Sequence, residues 1–153
     1  MSLITGDYKC KIDAKGRLIL PSALLRQFPE SSQSIVLKRS LYENCLELYP
    51  KNVWEEKIKA LSKINTYEKE NVDFIRGFIN GANILEIDGS NRILIPKFYL
   101  GHGGIDKEIV LKSMGEYMEM WSPENDAKKS QAMDADGFAA LARKVMGRQE
   151  NNK

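Results

Sequence analysis

Two aspartate–arginine pairs, each four residues apart across a short turn, are the residues of this chain best placed to do chemistry. The first is Asp13 and Arg17, in "KIDAKGRLILP" from Lys11 to Pro21; the second is Asp88 and Arg92, in "EIDGSNRILIP" from Glu86. Two readings fit. An aspartate at the start of a turn caps backbone N–H groups and can pair with an arginine at its far end, which fixes the shape of the loop and needs no ligand. The other reading adds cations. If Lys9 and Lys11 share the outward face of the strand before the turn, they stand beside Lys15 and Arg17. Such a set suits phosphate contacts, with arginine able to reach guanine edges in the major groove and the lysines adding affinity that falls with salt. A second subunit on a two-fold axis would double the patch. Gly16 and Asn91 hold the same place in the two turns. Glycine takes positive φ freely, and asparagine tolerates it better than most residues.

Other chemistry finds little support. A serine–histidine triad would need His102, the single histidine, in "GHGGID", and no Gly-x-Ser-x-Gly elbow is present. No His/Cys/carboxylate group has metal spacing, and no Gly-x-x-x-x-Gly-Lys-Ser/Thr phosphate loop appears. Glu55 and Glu56 fall on the polar side of a helix. Glu47 and Glu119 recur at matching places within strands, which points to a shared structural partner such as an arginine. Cys10 and Cys45 sit alone in apolar segments and read as small buried thiols of a reducing compartment, in preference to a disulfide. The expectation is therefore no enzyme, no metal, no cofactor and no small-molecule substrate.

Charge is distributed unevenly. Met1 to Lys51 holds 8 Lys/Arg against 5 Asp/Glu, whereas Gly81 to Pro123 holds 4 against 6, so any polyanion partner should favour the first half. No apolar run approaches the roughly 18–20 residues that span a bilayer. The N-terminal "MSLITGDYKC" lacks the order of a signal peptide. A cytoplasmic protein is expected.

The elements that must position these turns come in two sets. Gly6 matches Gly81, Ile12-Asp13 match Ile87-Asp88, Arg17 matches Arg92 and Pro21 matches Pro96 at an offset of 75. "SIVLK" then matches "EIVLK" at an offset of 74, and "CLELYP" matches "YMEMWSP". Three collinear blocks imply a duplicated module. In each, an alternating strand, a turn, a second strand and a proline-started helix precede two further strands. "PKNVWEEKIKALSKI" predicts a helix striped by Val53, Trp54, Ile58, Leu61 and Ile64. "NTYEKENVDFIRGFING" predicts another, with Val72, Ile75, Phe78 and Ile79 as its apolar positions. The boundaries follow: residues 1–65 for the first repeat, 66–80 for a connecting helix, 81–123 for the second repeat, and 124–153 for a polar loop and an amphipathic C-terminal helix. That last helix carries Phe138, Leu141, Ala142, Val145 and Met146, packed on the core or on a neighbouring subunit. Neither copy buries enough surface alone. The expected fold is α+β, a pseudo-two-fold β-barrel interleaved from two ββαββ(α) modules with short peripheral helices.

With these residues assembled, the chain resembles the MraZ family of bacterial transcriptional regulators. The likeness rests on "IDAKGRLILP", "CLELYP" followed by Trp54, Arg76 to Phe78, "EIDGSNRILIP" and "YMEMW", up to about Pro123. It implies tandem AbrB/MazE-like swapped-hairpin modules assembled into rings. It also implies binding to double-stranded DNA at short promoter repeats of the division and cell-wall gene cluster, usually as a repressor, and hence a nucleoid association. On that resemblance Lys15 and Arg17 lead the DNA contacts, Lys9 and Lys11 support them, and Arg92 is secondary. Asp13, Gly16, Asp88 and Asn91 shape the turns. The second turn departs from the family pattern, reading Asn91 where Gly16 stands in the first. Its acidic surroundings, Glu86 and Asp88, disfavour phosphate, so the first copy is expected to touch DNA and the second to serve the fold or an interface.

Overall fold

The computed structural model describes residues 3–29 and 33–151. Strand β1 (Asp7–Lys11) exposes Asp7, Lys9 and Lys11 and turns Tyr8 and Cys10 onto the core, the period of two that its sequence prescribes. After the first turn come β2 (Arg17–Ile19) and the single-turn helix α1 (Ser22–Leu25), then the hairpin of β3 (Ser34–Arg39) and β4 (Leu46–Pro50). Helices α2 (Lys51–Leu61) and α3 (Lys69–Ile79) follow. The same order then returns as β5 (Asn83–Glu86), β6 (Arg92–Leu94), α4 (Lys97–Gly103), β7 (Glu108–Ser113) and β8 (Met118–Trp121). Two helices end the chain: α5 (Pro123–Gln131) and α6 (Ala135–Asn151). Prolines 21, 50 and 96 each stand immediately before a helix, where a missing N–H leaves no bond unmade.

The class is mixed α+β, but the expected closed barrel does not form. Six strands make one open antiparallel sheet in the order β1-β7-β8-β4-β3-β5, with β1 and β5 as free edges. The two remaining strands leave it. β2 and β6 pair with each other, Arg17 opposite Leu94, Leu18 opposite Ile93 and Ile19 opposite Arg92, and a single bridge from Leu18 to Ile12 ties β2 back to the chain just after β1. The reason is local. Each is three residues long, follows directly on a tight turn, and is stopped by Pro21 or Pro96 just beyond it. Eight apolar segments therefore divide into a sheet and a ribbon instead of closing into one cylinder.

The core lies between them. Leu18, Leu20, Ile93 and Ile95 from the ribbon side meet Ile35, Leu37, Leu46, Leu48, Ile109, Leu111, Met118 and Met120 from one face of the sheet. On the opposite face α2 covers Val36 and Tyr49 through Val53 and Trp54, Tyr49 stacks on Tyr117 at 4.6 Å, and Phe78 of α3 stacks on Trp54 at 5.5 Å. The predicted α2 stripe is present, with Val53 and Leu61 buried. In α3 no residue is fully buried, so Val72, Ile75 and Phe78 pack at its margin only.

The last thirty residues correct one expectation and narrow another. The segment read as a polar loop is mostly helix α5. It lacks an apolar stripe, and its signals are terminal: Ser122 accepts from Asn125 N at 3.0 Å, Pro123 opens the first turn with Glu124 and Asp126, and Lys128 and Lys129 close the last. Helix α6 forms as expected but does not pack on the core. Phe138, Leu141, Val145 and Met146 all remain exposed. Both cysteines are free, Cys45 buried and Cys10 half-buried. No helix among the described residues is long and apolar enough to cross a membrane.

Candidate nucleic-acid interface

Both turns close through their aspartate. Asp13 Oδ1 accepts from the backbone N–H groups of Lys15 and Arg17, each at 2.9 Å, and Oδ2 accepts from Arg17 Nε at 2.8 Å. Asp88 repeats the set, with Ser90 N at 2.8 Å and Arg92 N and Nε each at 2.9 Å. The backbone closes identically, Gly16 N to Asp13 O and Asn91 N to Asp88 O, both 3.0 Å. Gly16 has φ +84° and Asn91 φ +61°, so asparagine fills the left-handed position that the second turn needs. The two turns are also stitched to the partner strand, Leu20 N to Asn91 O at 2.8 Å and Ile95 N to Gly16 O at 2.9 Å.

Electrostatics follow from these bonds. Each carboxylate lies below its ordinary pKa of 3.8, first because of the backbone N–H of its arginine, with the guanidinium adding to the effect. The aspartates are thus ionised at neutral pH and hold Nε. Among the described residues, the two Nη groups of Arg17 and Arg92 have no hydrogen-bond partner. Their edges are left for an external acceptor.

The ribbon brings Arg17 and Arg92 onto one face, diagonally placed in the register, with Leu18 and Ile93 turned inward. Lys15 stands at the exposed tip of the first turn. A hollow of about 400 Å³ beside it is lined by Lys15, Asp13, Gly16, Asp106, and by Lys97 and Lys107. Sequence reasoning missed those last two lysines, which come from the acidic half and reach the first tip only because the two halves interleave. The expected match of Pro21 to Pro96 was a usable signal, since Lys97 directly follows Pro96. Among the described residues, the hollow beside the second tip is lined by one cation, Arg26, and one acid, Asp88. Lys9 and Lys11 are not brought to the ribbon. They point to the other face of the sheet, opposite to Tyr8 and Cys10, and line a separate hollow of about 540 Å³ with Glu108 and Pro123.

Two carboxylates singled out by recurrence have a structural explanation. Glu47 and Glu119 lie directly opposite one another in the β4–β8 register. Each accepts from the aromatic residue two positions on, Tyr49 Oη to Glu47 at 3.0 Å and Trp121 Nε1 to Glu119 at 3.1 Å. The shared partner is thus an aromatic donor, and the cation beside Glu47 is the buried Lys38 at 3.3 Å, not an arginine. Burial pushes the Glu119 carboxyl up and the neighbouring Cys45 thiol to about 12. His102 has its Nε2 buried without a partner among the described residues, and burial lowers its pKa. No group of three or more metal-ligating side chains occurs among the described residues.

The fold and the paired turns define a mixed α+β protein that presents two aspartate-clamped arginines on a short antiparallel ribbon. The chain belongs to the MraZ family, whose model, described as an antitoxin-like MraZ protein, matches residues 3–76 and again 78–148. Its relatives include the "Transcriptional regulator MraZ" of Christiangramia forsetii, 44% identical over 147 residues that cover 94% of this chain and 93% of that protein. The protein of the same name from Flavobacterium psychrophilum is 43% identical, covering 96% and 94%, and that from Cytophaga hutchinsonii is 34% identical, covering 95% and 96%.

Proposed function

We propose that this protein is a sequence-specific DNA-binding transcriptional regulator acting as a homo-oligomer. The observation that carries the reading is the ribbon: two arginines, each held at Nε by an aspartate and open at Nη, in a family whose relatives bear the name of transcriptional regulators. A clamped arginine is preorganised for a bidentate contact to guanine O6 and N7, because the side-chain ordering is done before binding. Lys15, Lys97 and Lys107 at the first tip supply phosphate contacts, so the first turn leads and the second is weaker. Lys9 and Lys11 lie apart from the ribbon and add long-range field only.

The finer assignments rest on the family resemblance with structural support. The strand order β1-β7-β8-β4-β3-β5 maps onto itself when each strand is exchanged for its counterpart, and the two family-model matches divide the chain near residue 77. Both support two tandem AbrB-like modules, 1–65 and 81–123, joined through α3. The exposed apolar side chains of α6 suit contacts between copies in a ring. A ring would let several weak tips engage regularly spaced promoter repeats together, which multiplies affinity without new contacts. The target is the division and cell-wall gene cluster, with repression as the outcome, at the nucleoid of the cytoplasm. Relatives named as regulators support a protein that is not an enzyme.

Salt-titrated binding to DNA upstream of the protein's own gene tests this, with a duplex of scrambled repeat spacing as control. The expected result is tighter binding to the native spacing and a log–log salt slope of about −0.9 per phosphate neutralised. Equal binding to both duplexes removes the specific-regulator reading. The exposed α6 stripe also favours a second reading, an antitoxin-like module that holds another protein. A stoichiometric partner that co-purifies with the full chain and is lost with α6 would establish it.

A further inference from the structure

The ribbon face that carries the two arginines also carries two large aliphatic side chains in the open. Ile19 is 63% exposed and Leu94 58%, while Leu18 and Ile93 between them are buried. A lone exposed aliphatic residue means little, because much of any protein surface is apolar. Here the placement is not scattered. Leu94 lies directly opposite Arg17 and Ile19 directly opposite Arg92, so both diagonals of the face are matched, arginine with arginine and aliphatic with aliphatic. Opposed Cβ atoms in such a pair lie about 5 Å apart and successive residues on one face about 7 Å apart. The four side chains thus form a patch narrower than a major groove about 12 Å wide, into which a two-stranded ribbon fits.

The chemistry of that groove supplies the occupant. Its one apolar group is the C5-methyl of thymine, and its double acceptor is the O6/N7 edge of guanine. Arginine and an aliphatic side chain, side by side at both ends of the ribbon, are complementary to guanine and thymine in adjacent steps. We infer that Ile19 and Leu94 are specificity residues that pack on thymine methyl groups of the operator, next to guanines read by Arg17 and Arg92. The inference rests on the DNA-binding reading above and extends it from positive charge to base preference.

Deletion of the methyl groups tests it without altering the protein. Binding at fixed salt is compared for three duplexes: the DNA upstream of the gene, the same duplex with deoxyuridine in place of thymidine, and the scrambled-spacing control. Each duplex is measured with the full-length wild type and with an Ile19→Ala, Leu94→Ala double variant. Wild type is expected to lose about fourfold in affinity for each methyl it packs against, from the usual value of a buried carbon. The variant should bind the native duplex more weakly and lose nothing further on the uridine duplex. If wild type prefers the native duplex to the scrambled one yet binds the uridine form equally well, the methyl assignment is wrong and the regulator reading stands. Equal binding to native and scrambled duplexes overturns both. A variant that remains as uridine-sensitive as wild type places the methyl contacts on other residues. A variant that changes assembly mass in the absence of DNA shows the face to be an interface between copies, which also overturns the assignment. The wild-type comparison reads the effect even if the variant folds poorly.

Discussion

At the scale of single residues, one carboxylate does three jobs in each turn. Asp13 satisfies two backbone N–H groups, fixes the direction of Arg17 and neutralises part of its charge, and Asp88 does the same for Arg92. The arginines differ in their neighbours. Arg17 adjoins a tip with Lys15, Lys97 and Lys107, whereas among the described residues the second tip has only Arg26. Arg17→Ala should therefore cost about 1–3 kcal/mol of promoter binding at each engaged site and abolish it in practice through lost avidity, with Arg92→Ala milder. Anisotropy titration checks this, with circular dichroism to show that both variants fold. Wild-type binding by both would move the interface elsewhere. The clamps also predict a pH response. Because the folded carboxylates lie below 3.8, they bind protons less readily than in the unfolded chain. Their stabilisation is present above that value and is lost as pH falls through the depressed folded pKa. An Asp13→Asn, Asp88→Asn variant should be less stable at neutral pH, and its urea midpoint should fall less steeply than that of wild type between pH 5 and pH 2. A parallel fall in the two proteins would show that the clamps contribute nothing to folding. His102, lowered from 6.5 by burial, adds a limb of the same sign at higher pH that both proteins share.

At the scale of elements, the ribbon is held from inside and reads outward. Leu18 and Ile93 are almost wholly buried at its centre, so Leu18→Ala should cost about 2–5 kcal/mol, while Ile19→Ala one residue on should stay within about 0.5 kcal/mol. Gly16→Ala should cost about 1 kcal/mol or more, since φ is +84° and the new Cβ would meet Ile95 O at 3.3 Å. Urea denaturation separates the three, and a Leu18→Ala loss no larger than that of Ile19→Ala would mean that the ribbon is not anchored in the core. Local chemistry made much of this legible beforehand. The Asp-x-x-x-Arg turns, the alternation in β1 and the prolines that start α1, α2 and α4 are each written within a few residues. What escaped was non-local or carried no apolar signal. Nothing near Arg17 announces Leu94 as its neighbour, so the sequence carries no sign that β2 and β6 leave the sheet to form a ribbon. Lys97 and Lys107 reach the first tip by the same crossing of halves. Helix α5 reads as a loop in the sequence because Ser122, Glu124 and Lys128 mark its ends while no stripe marks its middle.

At the scale of the whole molecule, the two ends of the sheet and the last helix decide how copies can meet. The edges are guarded: β1 lines its open side with Asp7, Lys9 and Lys11, and β5 is only four residues long with Asn83 and Glu86 exposed. Helix α5 belongs to the body. Asn125 donates to Gly103 O at 3.2 Å, Lys129 pairs with Glu43 at 2.6 Å and Asp126 with Lys112 at 3.1 Å. Among the described residues helix α6 has no comparable tie, and it shows Phe138, Leu141, Val145 and Met146 to the outside. A 17-residue helix is about 25 Å long and marginally stable in water without a packed face, so a covering partner would stabilise it. The proposed oligomer provides one. A chain ended after Ala132 should keep its urea midpoint, since it loses almost none of the core, yet fall to a smaller mass in light scattering and lose the repeat-spacing preference that only a multivalent assembly has. An unchanged mass would put the contacts between copies elsewhere, with Phe74 and Ile79 on α3 the next exposed apolar surface to substitute. A loss of both mass and midpoint would mean that α6 is part of the folding unit, its stripe covered by the partner subunit before either chain is stable alone.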